Sequence, residues 1–157
     1  MFLGLNVSRF RDAEMATLGG RAVPLKTAYD LWRHFPLLGS GLGTFEEVSS
    51  MTGVGSPALL INHAHDDYAE IAATTGLLGL LIALVPFFIG YVVLARTTFG
   101  SAAAELSWSR RAFQAAALTS ITIALVHALI DFNFFIPANP ATLAAIAGTA
   151  VALREPR

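Results

Sequence analysis

The hydrophobic pattern of this chain is dominated by three long stretches without formal charge. Residues 76–95 contain no Asp, Glu, Lys or Arg, and at about 1.5 Å of rise per residue a helix of that length reaches roughly 30 Å, the thickness of a bilayer's hydrocarbon. This predicts a transmembrane helix over 72–95, with a kink near Pro86 that a membrane helix tolerates where neighbours satisfy the freed carbonyl. Residues 112–130 form a second uncharged run, polar at Gln114 and His127, and predict a second crossing over 112–131. Residues 132–153 are uncharged as well, but Pro137 and Pro140 interrupt them. Asn139-Pro140 reads as an N-cap followed by proline at the first helical position. The helical part is then 140–153, about 21 Å long at the helical rise. Residues 132–138 are left as irregular chain sheltered by protein, so the final membrane segment is broken.

Ahead of these runs the period changes. Over 22–35, Leu25, Ala28, Tyr29, Trp32 and Phe35 share one helical face while Lys26, Asp30 and Arg33 lie elsewhere, the pattern of an amphipathic helix that Pro36 ends. Its apolar face either lies on the membrane surface, where Tyr29 and Trp32 suit the interface, or packs over the rest of the protein. The cluster Gly39-Ser40-Gly41-Leu42-Gly43-Thr44-Phe45 follows. It is either a tight turn or a place where backbone amides of Gly41 and Gly43 approach a phosphate. No lysine follows as in a P-loop, and no strand pattern precedes it as in a dinucleotide fingerprint.

Composition agrees with a chain embedded in a membrane: 55% hydrophobic, 13% charged, with a mean hydropathy of +0.61, against roughly 25% charged residues in soluble domains. A net charge of −1 excludes a nucleic-acid footprint, and the absence of cysteine excludes disulfides and thiolate metal sites. Arginines orient the spans. Loop 96–111 carries Arg96, Arg110 and Arg111 against Glu105, and tail 154–157 carries Arg154 and Arg157, so both are expected on the cytoplasmic side. Residues 1–71 then form an extracytoplasmic loop, periplasmic in a Gram-negative cell, on the same face as the break near Asp131 to Asn139. No signal-peptide core precedes this external segment, so upstream membrane helices of the same protein are expected. The expected fold is all-α and integral to the membrane: about three transmembrane helices, the last one broken, plus an external loop carrying an amphipathic helix.

Two polar clusters carry candidate chemistry. In His63-Ala64-His65-Asp66-Asp67, alternate histidines beside carboxylates can be read as metal ligands, as a general base, or as the entry to a helix capped by Asp66 or Asp67. An imidazole is suited to taking a proton near neutral pH. His127 and Asp131 stand four residues apart, a spacing that lets them pair on one helical face, either to fix the broken segment or to act chemically.

Several motifs in fixed order resemble the C-terminal part of the O-antigen ligase and O-antigen polymerase superfamily, bacterial polytopic membrane glycosyltransferases of GT-C type. They are Arg21, then Pro36-Leu37-Leu38-Gly39, Gly41-Leu42-Gly43-Thr44-Phe45, His65-Asp66 with Gly76-Leu77-Leu78-Gly79 beyond it, and His127 to Asn139 with Asp131-Phe132 and Ile136-Pro137-Ala138-Asn139 inside. Asp66 stands where an amide or hydroxyl is usual and Leu25 where tryptophan is frequent; the family has about ten to twelve membrane helices against three here. The resemblance implies transfer of a glycan from an undecaprenyl-diphosphate carrier to a hydroxyl acceptor, lipid A–core or a growing polysaccharide, in lipopolysaccharide or other surface-polysaccharide biosynthesis. It places the activity on the outer face of the bacterial cytoplasmic (inner) membrane, without metal or other cofactor. His65 would be the base and Arg21 the cation facing the leaving diphosphate. Asp66, Asp67, His127 and Asp131 would support them, and Gly41, Gly43 and Asn139 would touch diphosphate or glycan. The fragment by itself is expected to be inactive. The alternative is a non-catalytic or degenerate multi-spanning membrane protein.

Overall fold

The computed structural model describes residues 18–51, 61–100 and 106–153. Glu105 and the tail 154–157, used above to orient the chain, lie outside the described residues, as do residues 1–17. Among the described residues the structure is all-helical: α1 Leu18–His34, α2 Phe45–Met51, α3 Asp67–Phe99, α4 Trp108–His127, a 3-10 turn Asn133–Phe135, and α5 Ala138–Ala152. The chain divides into two compact units, Met1–Leu80 and Leu81–Arg157.

In the first unit, α1 ends with Arg33 and His34 in its last turn, where cations offset the negative end of the helix dipole. His34 Nδ1 donates to the Asp30 carbonyl at 2.7 Å. The face that α1 buries differs from the expected one. Of Leu25, Ala28, Tyr29, Trp32 and Phe35 only Ala28 is buried; the buried stripe is Pro24, Thr27, Ala28 and Leu31. Thr27 is admitted because its hydroxyl bonds the Val23 carbonyl one turn back, at 3.0 Å, which removes the cost of burying it. Leu31 and Ala28 pack with Phe45 of α2, Ile61, Ala64 and Ala73 into one core, flanked by Val23, Trp32, Val48 and Ala69.

The long helix α3 is broken at Gly76, whose φ of 67° and ψ of −173° are non-helical, while Pro86 lies within helix. This break at Gly76 lies ten residues before the proline at which a kink is expected. In a continuous helix the Leu77 and Leu78 amides would bond the Ala73 and Thr74 carbonyls. Here the segment after α1 takes both sets of partners. Ser40 N bonds Ala73 O at 3.1 Å and Gly41 N bonds Thr74 O at 2.8 Å, while Leu77 N bonds Pro36 O at 2.9 Å and Leu78 N bonds Leu37 O at 3.2 Å. The approach is close enough to require glycine on both sides. A Cβ on Gly39 (φ 71°) would fall 2.2 Å from the Thr74 carbonyl carbon, and one on Gly76 would fall 2.3 Å from that of Leu37. The sequences Pro36-Leu37-Leu38-Gly39 and Gly76-Leu77-Leu78-Gly79 are thus the two halves of one backbone clasp.

Beyond the clasp α3 is long and apolar enough to cross a membrane. In the second unit α4 begins at Trp108, four residues before the uncharged run, and carries Arg110 and Arg111 in its first turn. Leu94, Ala117, Leu118, Ile121, Leu143 and Ala150 form the core. Gln114 is fully buried there; its Nε2 donates to the Ala150 carbonyl at 3.1 Å and its Oε1 accepts from Thr98 at 3.4 Å. The last helix starts at Ala138, with Pro137 in the cap position, instead of at Pro140 behind an Asn139 cap. Asn139 Nδ2 points back to the 3-10 turn and donates to the Asn133 carbonyl at 3.2 Å. At 15 residues α5 is apolar but shorter than a full span; residues 132–137, which include the 3-10 turn, lead into it, and Ile136 and Pro137 are exposed where chain sheltered by protein was expected.

The clasp makes a comparison of glycines informative. Gly39→Ala and Gly76→Ala combine a left-handed φ with a backbone collision, and each should lower stability by at least about 2 kcal/mol. Gly148→Ala in α5 meets nothing within 4 Å and should be neutral or mildly stabilising. Thermal unfolding of the detergent-purified variants, followed by size-exclusion profile, checks the ordering.

Candidate functional site

The His65 segment owes its shape to the start of α3. Asp66 Oδ1 accepts from the Ala69 amide at 2.9 Å, an N-cap bond to the third residue of the helix, so the capping reading of this segment is the observed one. His65, immediately before the cap, has φ 56°, left-handed backbone that costs a non-glycine residue about 1–2 kcal/mol. Such a conformation persists where its surroundings over-determine it.

The surroundings include a carboxylate that sequence reasoning missed. Glu70, one turn into α3, is 2% exposed. Its Oε1 accepts from His63 Nδ1 at 2.9 Å and its Oε2 accepts from the Ala64 amide at 2.8 Å. One buried side chain thus holds the ring and the backbone of the two residues leading into His65, and Asp66 fixes the backbone on the other side. Asp67 is buried and His65 half-buried. Burial, followed by the charges of Asp67 and Asp66, pushes the Tyr68 phenol above its ordinary range, so it is protonated and able to donate at neutral pH. The sequence held a hint of Glu70: it is the one carboxylate in 68–95, seven residues from His63, but spacing alone does not show that the intervening chain turns back.

His63 therefore has a carboxylate partner within the protein, and among the described residues no three His, Asp or Glu side chains converge as metal ligands. The Gly41 amide, a candidate phosphate donor, is engaged by Thr74 O, and Thr44 Oγ1 donates to the Gly41 carbonyl at 2.8 Å. Of the two readings left open for the glycine cluster, the turn is the one observed at Gly41; Gly43 has open space around it.

Arg21 lies in the first turns of α1, half-buried, and its Nε is buried with no hydrogen-bond partner among the described residues. A buried guanidinium N–H is costly when it has no acceptor, and for Arg21 that acceptor is not among the described residues. Beside it in sequence, Ala22, Leu25, Lys26, Tyr29 and Trp32 of α1 and Ala69 and Ala72 of α3 line an open, mainly apolar groove of about 510 Å³.

The second cluster belongs to the other unit. Helix α4 ends at His127, so Asp131 lies beyond it and the two do not share a helical face. The His127 ring bonds the Asn133 side-chain amide, Asn139 bonds the Asn133 carbonyl, and Asp131 Oδ1 accepts from the Phe132 amide at 2.9 Å. His127, Asn133 and Asn139 thus form a chain of hydrogen bonds across the break, a role for Asn133 that the sequence reading did not contain.

A family model described as O-antigen ligase matches residues 2–84. The match contains Arg21, both halves of the clasp and the whole His65 segment, and stops before α4. No curated protein and no solved structure matches the chain.

Removal of the Glu70 carboxylate leaves the Ala64 amide without its acceptor. Glu70→Ala should cost about 1–3 kcal/mol of stability, whereas Glu70→Gln keeps an acceptor for Ala64 and a polar partner for His63 and should cost clearly less. Unfolding midpoints of the two variants in one detergent measure the difference.

Proposed function

Since the family match covers more than half of its length, the chain belongs to the O-antigen ligase family, and on that premise we propose that it is the C-terminal part of a membrane glycosyltransferase. The donor is a glycan on undecaprenyl diphosphate and the acceptor a hydroxyl of lipid A–core or of a growing polysaccharide, at the extracytoplasmic face of the bacterial inner membrane. On this reading α3, the one helix among the described residues that is long and apolar enough to cross a membrane, belongs with α4 and α5 to a multi-pass bundle.

The observation that carries the reading is the family match over the residues that also have the chemistry. The acceptor oxygen must lose its proton as it bonds the anomeric carbon, and the His65 imidazole takes that proton. The bond from the anomeric carbon to the phosphate oxygen breaks at the same centre, and the diphosphate leaves with the bonding electrons. Arg21 meets that developing charge through its guanidinium, whose planar donors suit phosphate oxygens. The mainly apolar groove on α1, which Lys26 borders and which lies next to Arg21 in sequence, supports a hydrocarbon tail with an anionic head. Asp66 and Asp67 act through the backbone and field around His65, while His127, Asp131 and Asn139 order the broken segment that would border the glycan.

In the full-length protein, His65→Ala should abolish glycan transfer in membrane vesicles at normal protein level. Arg21→Lys keeps a charge without the bidentate fork and should retain a small fraction of the activity that Arg21→Ala loses altogether. Transfer that persists in His65→Ala would remove that residue as the base.

A further inference from the structure

Residues 35–45 contain no charge, and the leucines of this segment turn outward: Leu37 is 61% exposed, Leu38 75% and Leu42 78%. An irregular loop that holds three leucines bare to solvent is unfavourable in water, where each would gain by burial. The clasp shows where this loop sits. Its Pro36 and Leu37 carbonyls are bonded to Leu77 and Leu78, the first residues of the apolar part of α3, which are exposed apolar side chains themselves. Counting back from Arg96, the uncharged helix needs about twenty residues to fill roughly 30 Å of hydrocarbon, which puts Gly76 and the clasp at the hydrocarbon boundary.

Non-helical backbone is excluded from hydrocarbon unless its polar groups are satisfied by protein. Much of this loop meets that condition. Besides the two bonded carbonyls, the Gly39 amide donates to Phe35 O at 2.9 Å, and the Ser40 and Gly41 amides donate to α3. Ser40 Oγ and Thr44 Oγ1 bond each other at 2.9 Å. We infer that the Pro36–Leu42 loop is a membrane-inserted element, with Leu37, Leu38 and Leu42 seated among lipid acyl chains beside the first turn of the span. The loop borrows the hydrogen-bond partners that the break in α3 releases, and this is what lets it enter. The partner is the lipid bilayer, and the inference is independent of what the protein transfers.

Site-directed fluorescence tests it in the full-length protein, with any cysteines elsewhere replaced; this part of the chain has none. Leu37→Cys and Leu38→Cys are labelled with a bimane probe and reconstituted in phosphatidylcholine/phosphatidylglycerol vesicles, with Leu78→Cys as the lipid-facing reference and Glu47→Cys on α2 as the aqueous one. Labels at 37 and 38 should lose most of their fluorescence to phosphatidylcholine carrying a nitroxide near the top of its acyl chain, as at 78, and little to iodide. Iodide quenching like that at 47 would put the loop in water and overturn the inference. Labels reached by neither quencher would show the leucines covered by other helices of the protein or by a second copy, and would overturn it equally.

Discussion

A helix that breaks in or near hydrocarbon must find partners for the polar groups it releases, and that requirement organises the first unit. At Gly76 two carbonyls and two amides leave the α-helical ladder, and each is taken up by the chain between Pro36 and Gly41. Each bond contributes about 1 kcal/mol net, but a group left unbonded away from water costs more than its bond supplies. The exchange therefore acts as a condition of folding more than as an increment of stability. It also explains why glycine stands at 39 and 76 together, since a side chain at either would push the other backbone away.

At that junction a short helical segment before Gly76 meets the long apolar segment after it. The first carries Glu70 and the Asp66 cap, and so holds the strained His65 backbone between two carboxylate anchors. The second is the part apolar enough to cross a membrane. The break thus separates two demands that one straight helix would couple, the orientation of a polar site and the direction of a span.

The lengths of the apolar runs made the helices legible, because freedom from charge over twenty residues is a local property. The amphipathic helix was legible as an element but its buried face was not: Thr27 lies in the core with an internally bonded hydroxyl, and aromatic residues of the other face stay exposed. The break at Gly76 was not legible, because proline is the local signal for a kink, whereas this break comes with a contact between segments some forty residues apart. Glu70 and Asn133 were missed for the same reason. Each matters through a partner six or seven residues away, across a turn whose closure no short-range pattern records. The N-cap at Asp66 was visible because its partner is three residues on.

The distribution of charge bears on how a site of the proposed kind divides its work. The entrance to α3 is acidic, with Asp66, Asp67 and Glu70 in one turn and a half. Asp66 is bound by the Ala69 amide and Glu70 by His63 and Ala64. Three carboxylates in so short a stretch oppose a further anion there. On the proposed reading a diphosphate settles against a cation instead, and Arg21 is the arginine of this unit whose Nε has no acceptor among the described residues. On that reading the acceptor's proton and the leaving diphosphate are handled by different residues, His65 beside the acidic turn and Arg21 on α1, so that neither charge has to be met where the other is.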